Sequence, residues 1–235
     1  MRLNRYVAHA GICARRKADV FIQEGLVTVN GKVELAPGFR VKEGDEVKFK
    51  GEIIKPVTNM VYILMNKPRN VITTMDDEMG RKTVMDIIKN KVPERIYPVG
   101  RLDRNTLGLL LLTNDGELAK RLSHPSYMVK KVYHVSLDKP VSDEHIKKIR
   151  HGLTLDDGPV EVDGVDHYIG KAKTEVGIEI HIGRNRIVRR IFEHLGYEVK
   201  GLDRVYYAGL TKKDLKRGWF RHLTEREIIM LKHFN

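Results

Sequence analysis

Cysteine is nearly missing from this chain of 235 residues: Cys13 stands alone. One cysteine rules out a disulfide framework and makes a cysteine-based zinc site a poor expectation, which fits a reducing, cytoplasmic setting. The ten histidines are scattered, without paired spacing on one helix face, so no metal site is expected. Long apolar runs are missing as well. The longest, GLLLL at 108–112, is far short of the roughly 20 residues that span a bilayer. The N-terminus MRLNRYVAHAG lacks an apolar core and a small-residue cleavage site, so it does not read as a secretory signal. No strand runs into a Gly-rich loop of the dinucleotide or P-loop kind, and VYILMNKPRN at 61–70 runs into Asn66, Lys67 and Pro68 instead. That leaves a soluble protein with no membrane partner and no small-molecule cofactor, and it speaks against a methyltransferase.

What the chain has in excess is positive charge, formally +12, beside 41% hydrophobic residues. The hydrophobic fraction can bury one large core or two modest ones. The charge points to a polyanionic partner, with nucleic acid ahead of an anionic membrane surface.

Two segments separate by pattern. LNRYVAHAG and ARRKADVFIQEG each repeat apolar residues at helical spacing and end on a glycine, Gly11 and Gly25. LVTVNGKVEL then alternates about Asn30-Gly31, the pair a type I′ hairpin requires, and DEVKFKG follows as a strand. This first segment holds eleven Lys and Arg against seven Asp and Glu. The pattern lapses in GEIIKPVTN, and Lys50 to Asn59 is the expected linker. Beyond it strands and helices alternate without a repeat: VYILMNK, NVITT, TVMDIIKN, GLLLLT, GELAKRLS, KVYHVSLD, DEHIKKIRHG, GIEIHI, IVRRIFEHLG and a last helix after Thr224. KVYHVSLD and GIEIHI alternate apolar with polar residues, which predicts a half-exposed antiparallel or mixed sheet. The class is α+β, and the helices' apolar residues leave no long stripe over for a partner helix, so a monomer is expected.

Three stretches are candidates for chemistry. In PVGRLDRNTLGLLLLT, Asp103 sits between Arg101 and Arg104 at the mouth of an apolar strand. A carboxylate held there by a cation can serve as nucleophile or base, while an ordinary Asp in such a place is a turn or capping residue. In KKVYHVSL, Tyr133 shares a strand face with Lys131 and Val135, a packing position on its own merits. In HIGRNRIVRRIFEHLG, Arg184, Arg186, Arg189 and Arg190 gather where a strand passes into a helix, as a phosphate-binding turn would. In the first segment Arg5, Arg15, Arg16, Lys17 and Lys32 fall on or beside the two helices and the hairpin, where free helix N–H groups and guanidinium forks suit phosphate. A plain solvated basic face has the same spacing.

RLNRYVAHAGICARRKADVFIQEGLVTVNGK resembles the S4 RNA-binding module in its paired helices, basic pair and V-x-V-N-G hairpin. The remaining stretches together resemble the pseudouridine synthases of the RsuA family, which modify ribosomal RNA and carry an S4 module. GRLDRNTLGLLLLTNDGELAKRLSHP matches the GRLD signature, Lys131 to Val135 the K-x-Y-x-V strand, Gly183 to Arg190 the later basic turn, and Asn66-Lys67-Pro68 the early N-K-P segment. Ile187 and Asn70 stand where the family often has Gln and Gly. EMGRKTVMDII, HPSYMVKKVY and HGLTLDDGP are closer to the large-subunit branch than to the small-subunit one.

The resemblance implies an S4-like domain at 1–58 and, at 61–235, a catalytic domain built on a mixed, mainly antiparallel sheet with flanking helices. It implies isomerisation of uridine to pseudouridine in ribosomal RNA, 23S RNA first, as naked RNA or in a pre-ribosomal particle. Asp103 would be the catalytic carboxylate, acting at ribose C1′, at the C2′ proton or at the uracil ring. Arg189 would pair with it, and Tyr133 would stack on the extruded base. Lys67, Pro68, Arg101, Leu102, Lys131, Arg184, Asn185 and Arg186 would line the site. The alternative is an RNA-binding or ribosome-assembly protein without catalysis.

Overall fold

The computed structural model describes residues 1–233 and divides into two compact units, Met1–Met60 and the chain from Val61 onward. In the first, α1 (Leu3–His9) and α2 (Arg15–Gln23) bury Leu3, Val7, Ala18 and Ile22 against a small sheet. Gly11 (φ +81°) and Gly25 (φ +74°) end the helices in the left-handed region, as their positions foretold. Strands β1 (Val27–Val29) and β2 (Lys32–Val33) meet through Asn30 and Gly31, both at positive φ, so Val29 lies opposite Lys32.

The stretch read as a linker is only partly one. A second hairpin, β3 (Val47–Phe49) with β4 (Glu52–Ile53), turns through Lys50 and Gly51 at φ +51° and +86°. Ile54 is buried in the first unit's core, and Val57 N–H donates to His9 O at 2.9 Å. A lysine in the left-handed turn position carries none of the Asn or Asp signal by which such hairpins are read.

The second unit opens with β5 (Tyr62–Lys67), α3 (Val84–Ile88), β6 (Tyr97–Pro98), β7 (Leu107–Thr113) and α4 (Gly116–Ser123). Then come β8 (Lys131–Leu137), α5 (Asp143–His151), the hairpin β9 (Leu153–Leu155) and β10 (Gly158–Val160), β11 (Gly164–His167) and β12 (Glu175–Ile180). It closes with α6 (Ile187–His194), β13 (Val199–Tyr207), β14 (Leu210–Thr211), β15 (Phe220–His222) and α7 (Glu225–Lys232). The main sheet runs β11-β12-β8-β13-β7-β5-β15, with β14 on β13 and β6 on β7. Neighbours are antiparallel except β13 with β7, a mixed and mainly antiparallel sheet as expected.

Why the LGLLLLT run is continuously apolar follows from its place. Leu110 and Leu112 join Ile63 and Met65 in a core on one face of the sheet, while Leu109 and Leu111 join Tyr62 and Leu64 on the other. α3, α5 and α6 cover the first face; α4 and α7 cover the second. β8 and β12 instead bury only alternate residues, Tyr133, Val135 and Leu137 against Val176, Ile178 and Ile180. Asp115 caps α4 by accepting from the N–H groups of Glu117 and Leu118, and Thr224 with Glu227 forms the expected capping box of α7.

Two expectations fail. NVITT is not a strand: Ile72 makes one parallel bridge with Thr83, and the hydroxyls of Thr73 and Thr74 bond Leu102 O and Asp76 O. Conversely the sequence pattern does not predict β13, VKGLDRVYY, although it lies between β8 and β7. Irregular pairing after Val199 and after Arg204 breaks its alternation, and two of its buried residues, Asp203 and Arg204, are charged.

Candidate active site

β5 ends in Lys67, whose side chain is wholly buried. Its Nζ donates to the carbonyls of Thr106 at 2.8 Å, Pro68 and Asp103 at 3.1 Å and Arg104 at 3.3 Å. Three ammonium protons thus serve four carbonyls of two adjoining segments. Burial pushes this lysine down to about 8, the charge of Asp103 opposing and that of Arg217 adding to the fall. Thr73 holds the loop from the other side, its Oγ1 donating to Leu102 O at 2.8 Å. Gly108 follows at φ +106°, where an added Cβ would collide with the Arg204 carbonyl and the Asp203 carboxylate. Only glycine lets β7 approach β13 in parallel at this point. Asp203 is itself neutralised by Lys212 and by Arg217, the latter at 2.6 Å.

The loop so fixed forms one wall of a cleft of about 310 Å³. Arg101, Leu102 and Asp103 line it from that loop, with Lys131 and Tyr133 of β8 and Leu202, Arg204 and Tyr207 of β13. Arg184, Asn185 and Arg186 complete the lining with Ser123, His124 and Pro125. A second hollow, about 530 Å³, lies between residues 75–83 and α3 and holds none of the expected residues. Its greater volume does not make it the site, because the chemistry-bearing side chains converge on the other.

Lys131 Nζ donates to His181 O at 2.6 Å. Burial lowers this lysine to about 8, with the charge of Arg204 adding and that of Asp163 opposing. Arg204 is buried, its Nε donating to Leu109 O at 2.7 Å and its guanidinium 4.3 Å from the centre of the Tyr207 ring. Tyr207, whose hydroxyl donates to Leu122 O at 3.1 Å, is pushed up to about 12 by burial, with Arg204 opposing. Reading the sequence missed both residues, since the strand that carries them was missed. The available signal was two charges inside an otherwise apolar and aromatic run.

Of the eleven residues expected at this site, eight line the cleft. Lys67 and Pro68 lie behind the Asp103 loop, where Lys67 grips backbone instead of facing the opening. Arg189 points into the packing of α6, and the charge-assisted pair expected with Asp103 is not formed among the described residues. Its guanidinium donates to Val199 O at 2.8 Å, and its Nε is buried without a partner. Burial and the charge of Arg186 lower this arginine, while Asp103 acts on it through space in the opposite sense. Arg184 and Arg190 both reach Asp157 on the β9–β10 turn, and Arg186 reaches Glu193. In the first unit Arg15, Arg16 and Lys17 stand exposed on the first turn of α2, which has no side-chain cap, and Lys32 is exposed on β2. Arg5 is half-buried, its Nε donating to His9 Nε2 at 3.4 Å. Among the described residues no helix is long and apolar enough to cross a membrane.

Comparison with known proteins bears on what such a cleft does. The sequence profile of the RNA pseudouridylate synthases matches residues 61–194, and that of the S4 domain matches residues 1–47. The chain is 42% identical to ribosomal large subunit pseudouridine synthase B of Bacillus subtilis, over 98% of this chain and 95% of that protein. It is 36% identical to the dual-specificity RNA pseudouridine synthase RluF of Escherichia coli O157:H7, over 98% of this chain and 78% of that one. A pseudouridylate synthase crystal structure superposes with a TM-score of 0.71 at 28% identity, covering 98% of this chain and 99% of the other. The matched segment includes the Asp103 loop, β8 and all of α6, so most of the cleft lies within the likeness, and the chain belongs to the RNA pseudouridine synthase family, as an isomerase preceded by an S4 domain.

Proposed function

We propose that the substrate is large-subunit ribosomal RNA, 23S RNA or its precursor particle, in the cytoplasm, and that the enzyme works as a monomer. Whole-length similarity to the Bacillus subtilis large-subunit enzyme is the observation that carries the choice of RNA. The basic S4 domain supports it, since shape and phosphate contacts are how structured RNA is gripped.

The reaction breaks the N1–C1′ bond, turns the uracil and joins C5 to C1′; C5 releases its proton to water and N1 takes one up, so the atoms balance without a redox partner. The uridine must leave its stack, at a cost of a few kcal/mol that backbone contacts offset. Asp103 is assigned the reacting carboxylate, half-buried at the cleft wall on a backbone that Lys67 and Thr73 immobilise. Tyr133, 8% exposed and lining the cleft, is assigned to stack on the extruded uracil. Lys131, Arg101, Arg184 and Arg186 supply positive charge for the flanking phosphates. Arg189 holds the end of β13 through Val199 O and lends Asp103 a favourable field, so its part is positioning.

The test is tritium release from C5-labelled ribosomal RNA. Release from 23S RNA or assembly intermediates, and not from 16S RNA, supports the assignment. Release from 16S RNA alone overturns the choice of subunit, and binding without release from any RNA favours the assembly-protein alternative. Sedimentation showing a concentration-independent dimer would overturn the monomer.

A further inference from the structure

The lining of the Asp103 cleft includes two chemically different groups. Arg184 and Arg186 are one, both solvent-exposed. His124 and Pro125 are the other, in a short turn after α4. Tyr127 packs edge-on against His124, ring centres 6.3 Å apart at 81°, and is 40% exposed.

This turn is held in place. Tyr127 N–H donates to His124 O at 3.2 Å and Met128 N–H to Pro125 O at 3.0 Å, with Met128 in the left-handed region at φ +49°. A non-glycine residue there is uncommon, and local bonding over-determines it. His124 Nδ1 accepts from Ser126 N–H at 3.3 Å. The same Nδ1 lies 2.8 Å from Ser126 Oγ, so both contacts hold the ring on its own turn. Arg121 lies with its guanidinium carbon 5.9 Å from the Tyr127 ring centre, anchored by donating to Lys232 O at 2.7 Å.

His124 therefore lines the cleft, and Tyr127, packed on its ring and open to solvent, continues that surface outward with the Arg121 guanidinium beside it. Rings so placed do little for the core, yet unstacked RNA bases are read by stacking on aromatic side chains and arginine planes. Taking the uridine reaction above as given, we propose that His124 and Tyr127 form a ledge on which the unpaired base next to the extruded uridine stacks. The arginines that line the cleft, Arg184 and Arg186, take the phosphates without reading sequence. The ledge selects for single-stranded context: a uridine whose neighbour remains paired in a helix cannot use it.

The experiment uses a large-subunit ribosomal RNA stem-loop carrying the uridine located by tritium release, with each neighbouring base intact, abasic or replaced by 2-aminopurine. Wild type, Tyr127→Ala and Tyr127→Phe are compared after their melting temperatures are shown to agree. Stacking of about 1–3 kcal/mol per base predicts a kcat/KM about five- to a hundredfold lower for Tyr127→Ala on intact RNA. Tyr127→Phe stays within about threefold on the same stacking basis, the ring being kept. One abasic neighbour imposes the same loss on wild type, and Tyr127→Ala then adds less than about twofold, because the stacking partner is already gone. Equal losses for Tyr127→Ala on intact and abasic RNA, or no loss on intact RNA, overturn the ledge. Should wild type release no tritium, the functional reading fails by itself. In that case 2-aminopurine, moved through the loop of the RNA that binds, decides the ledge: quenching that Tyr127→Ala abolishes supports it, and quenching indifferent to residue 127 overturns it.

Discussion

In the first unit Arg15, Arg16, Lys17 and Lys32 all stand in solvent, whereas in the second Lys67, Arg189 and Arg204 are buried with their polar heads on backbone carbonyls. The same residue types do opposite work. An exposed cation can exchange water for phosphate and let go again, which is what binding RNA by shape requires. A buried cation has no such freedom; it fixes the carbonyls around it, and removing it leaves them unpaired in a poor solvent. The first unit keeps these cations free for a partner, whereas Lys67, Arg189 and Arg204 of the second spend theirs on backbone around the cleft.

The sharpest way to break this contrast is Asp103→Asn. It keeps size and removes charge, so tritium release should fall at least about a thousandfold, a barrier rise of about 4 kcal/mol at 1.36 kcal/mol per tenfold, while RNA affinity in a filter-binding assay holds. Turnover within tenfold of wild type would remove Asp103 from the centre of the reaction.

Next in size is Lys67→Met, which deprives the carbonyls of Asp103, Arg104 and Thr106 of their donor. Each unpaired buried group costs about 1–3 kcal/mol. A lower melting temperature is expected, with kcat down about ten- to a hundredfold by the same figure and RNA affinity preserved. A loss of affinity larger than the loss of kcat would mean that Lys67 touches RNA after all.

The opposite pattern is expected of the exposed set. Replacing Arg15, Arg16 and Lys17 together by alanine should weaken RNA binding and flatten the slope of log K against log salt by about two to three, one unit per lost phosphate contact. kcat at saturating RNA should hardly move. An unchanged salt slope would make these residues a solvated face and nothing more.

The smallest effect concerns pH. Lys131 sits near 8 in the folded chain, below the usual lysine value of 10.5, so its charge is present below about pH 8 and lost above it. RNA affinity should therefore decline as pH rises through 8, and Lys131→Arg, which keeps its charge, should remove the decline. For stability the sign is reversed: between the folded and unfolded values the unfolded chain binds the extra proton, so this lysine's contribution to stability rises with pH over that window. An affinity that is flat from pH 7 to 9 in the wild type would place Lys131 away from the phosphates.

Much of this was readable in advance where structure is local. The helix-ending glycines, the Asn30-Gly31 turn and the Thr224 capping box depend on residues a few positions apart, and each stands where the pattern put it. The all-apolar β7 and the alternating β8 and β12 also declared how many of their faces are covered. β13 did not declare itself. Its charges look like solvent-facing residues until Asp203 is seen beside Lys212 and Arg217, and Arg204 against Leu109 O and the Tyr207 ring. The Arg189 pairing was likewise out of reach, since Val199 O becomes an available acceptor only when α6 packs against the end of β13.

By itself, then, the sequence determined the local elements marked by caps, turns and clear periodicity, the S4-like and catalytic segments, and the family, because periodicity, turn residues and family motifs are written in consecutive positions. Tertiary structure alone decided which charges are spent inside the protein and which remain for RNA. A charge is buried or free according to the carbonyls and counter-ions that distant strands bring to it, and Lys67 meets those of Asp103, Arg104 and Thr106 only once β5 and β7 have paired.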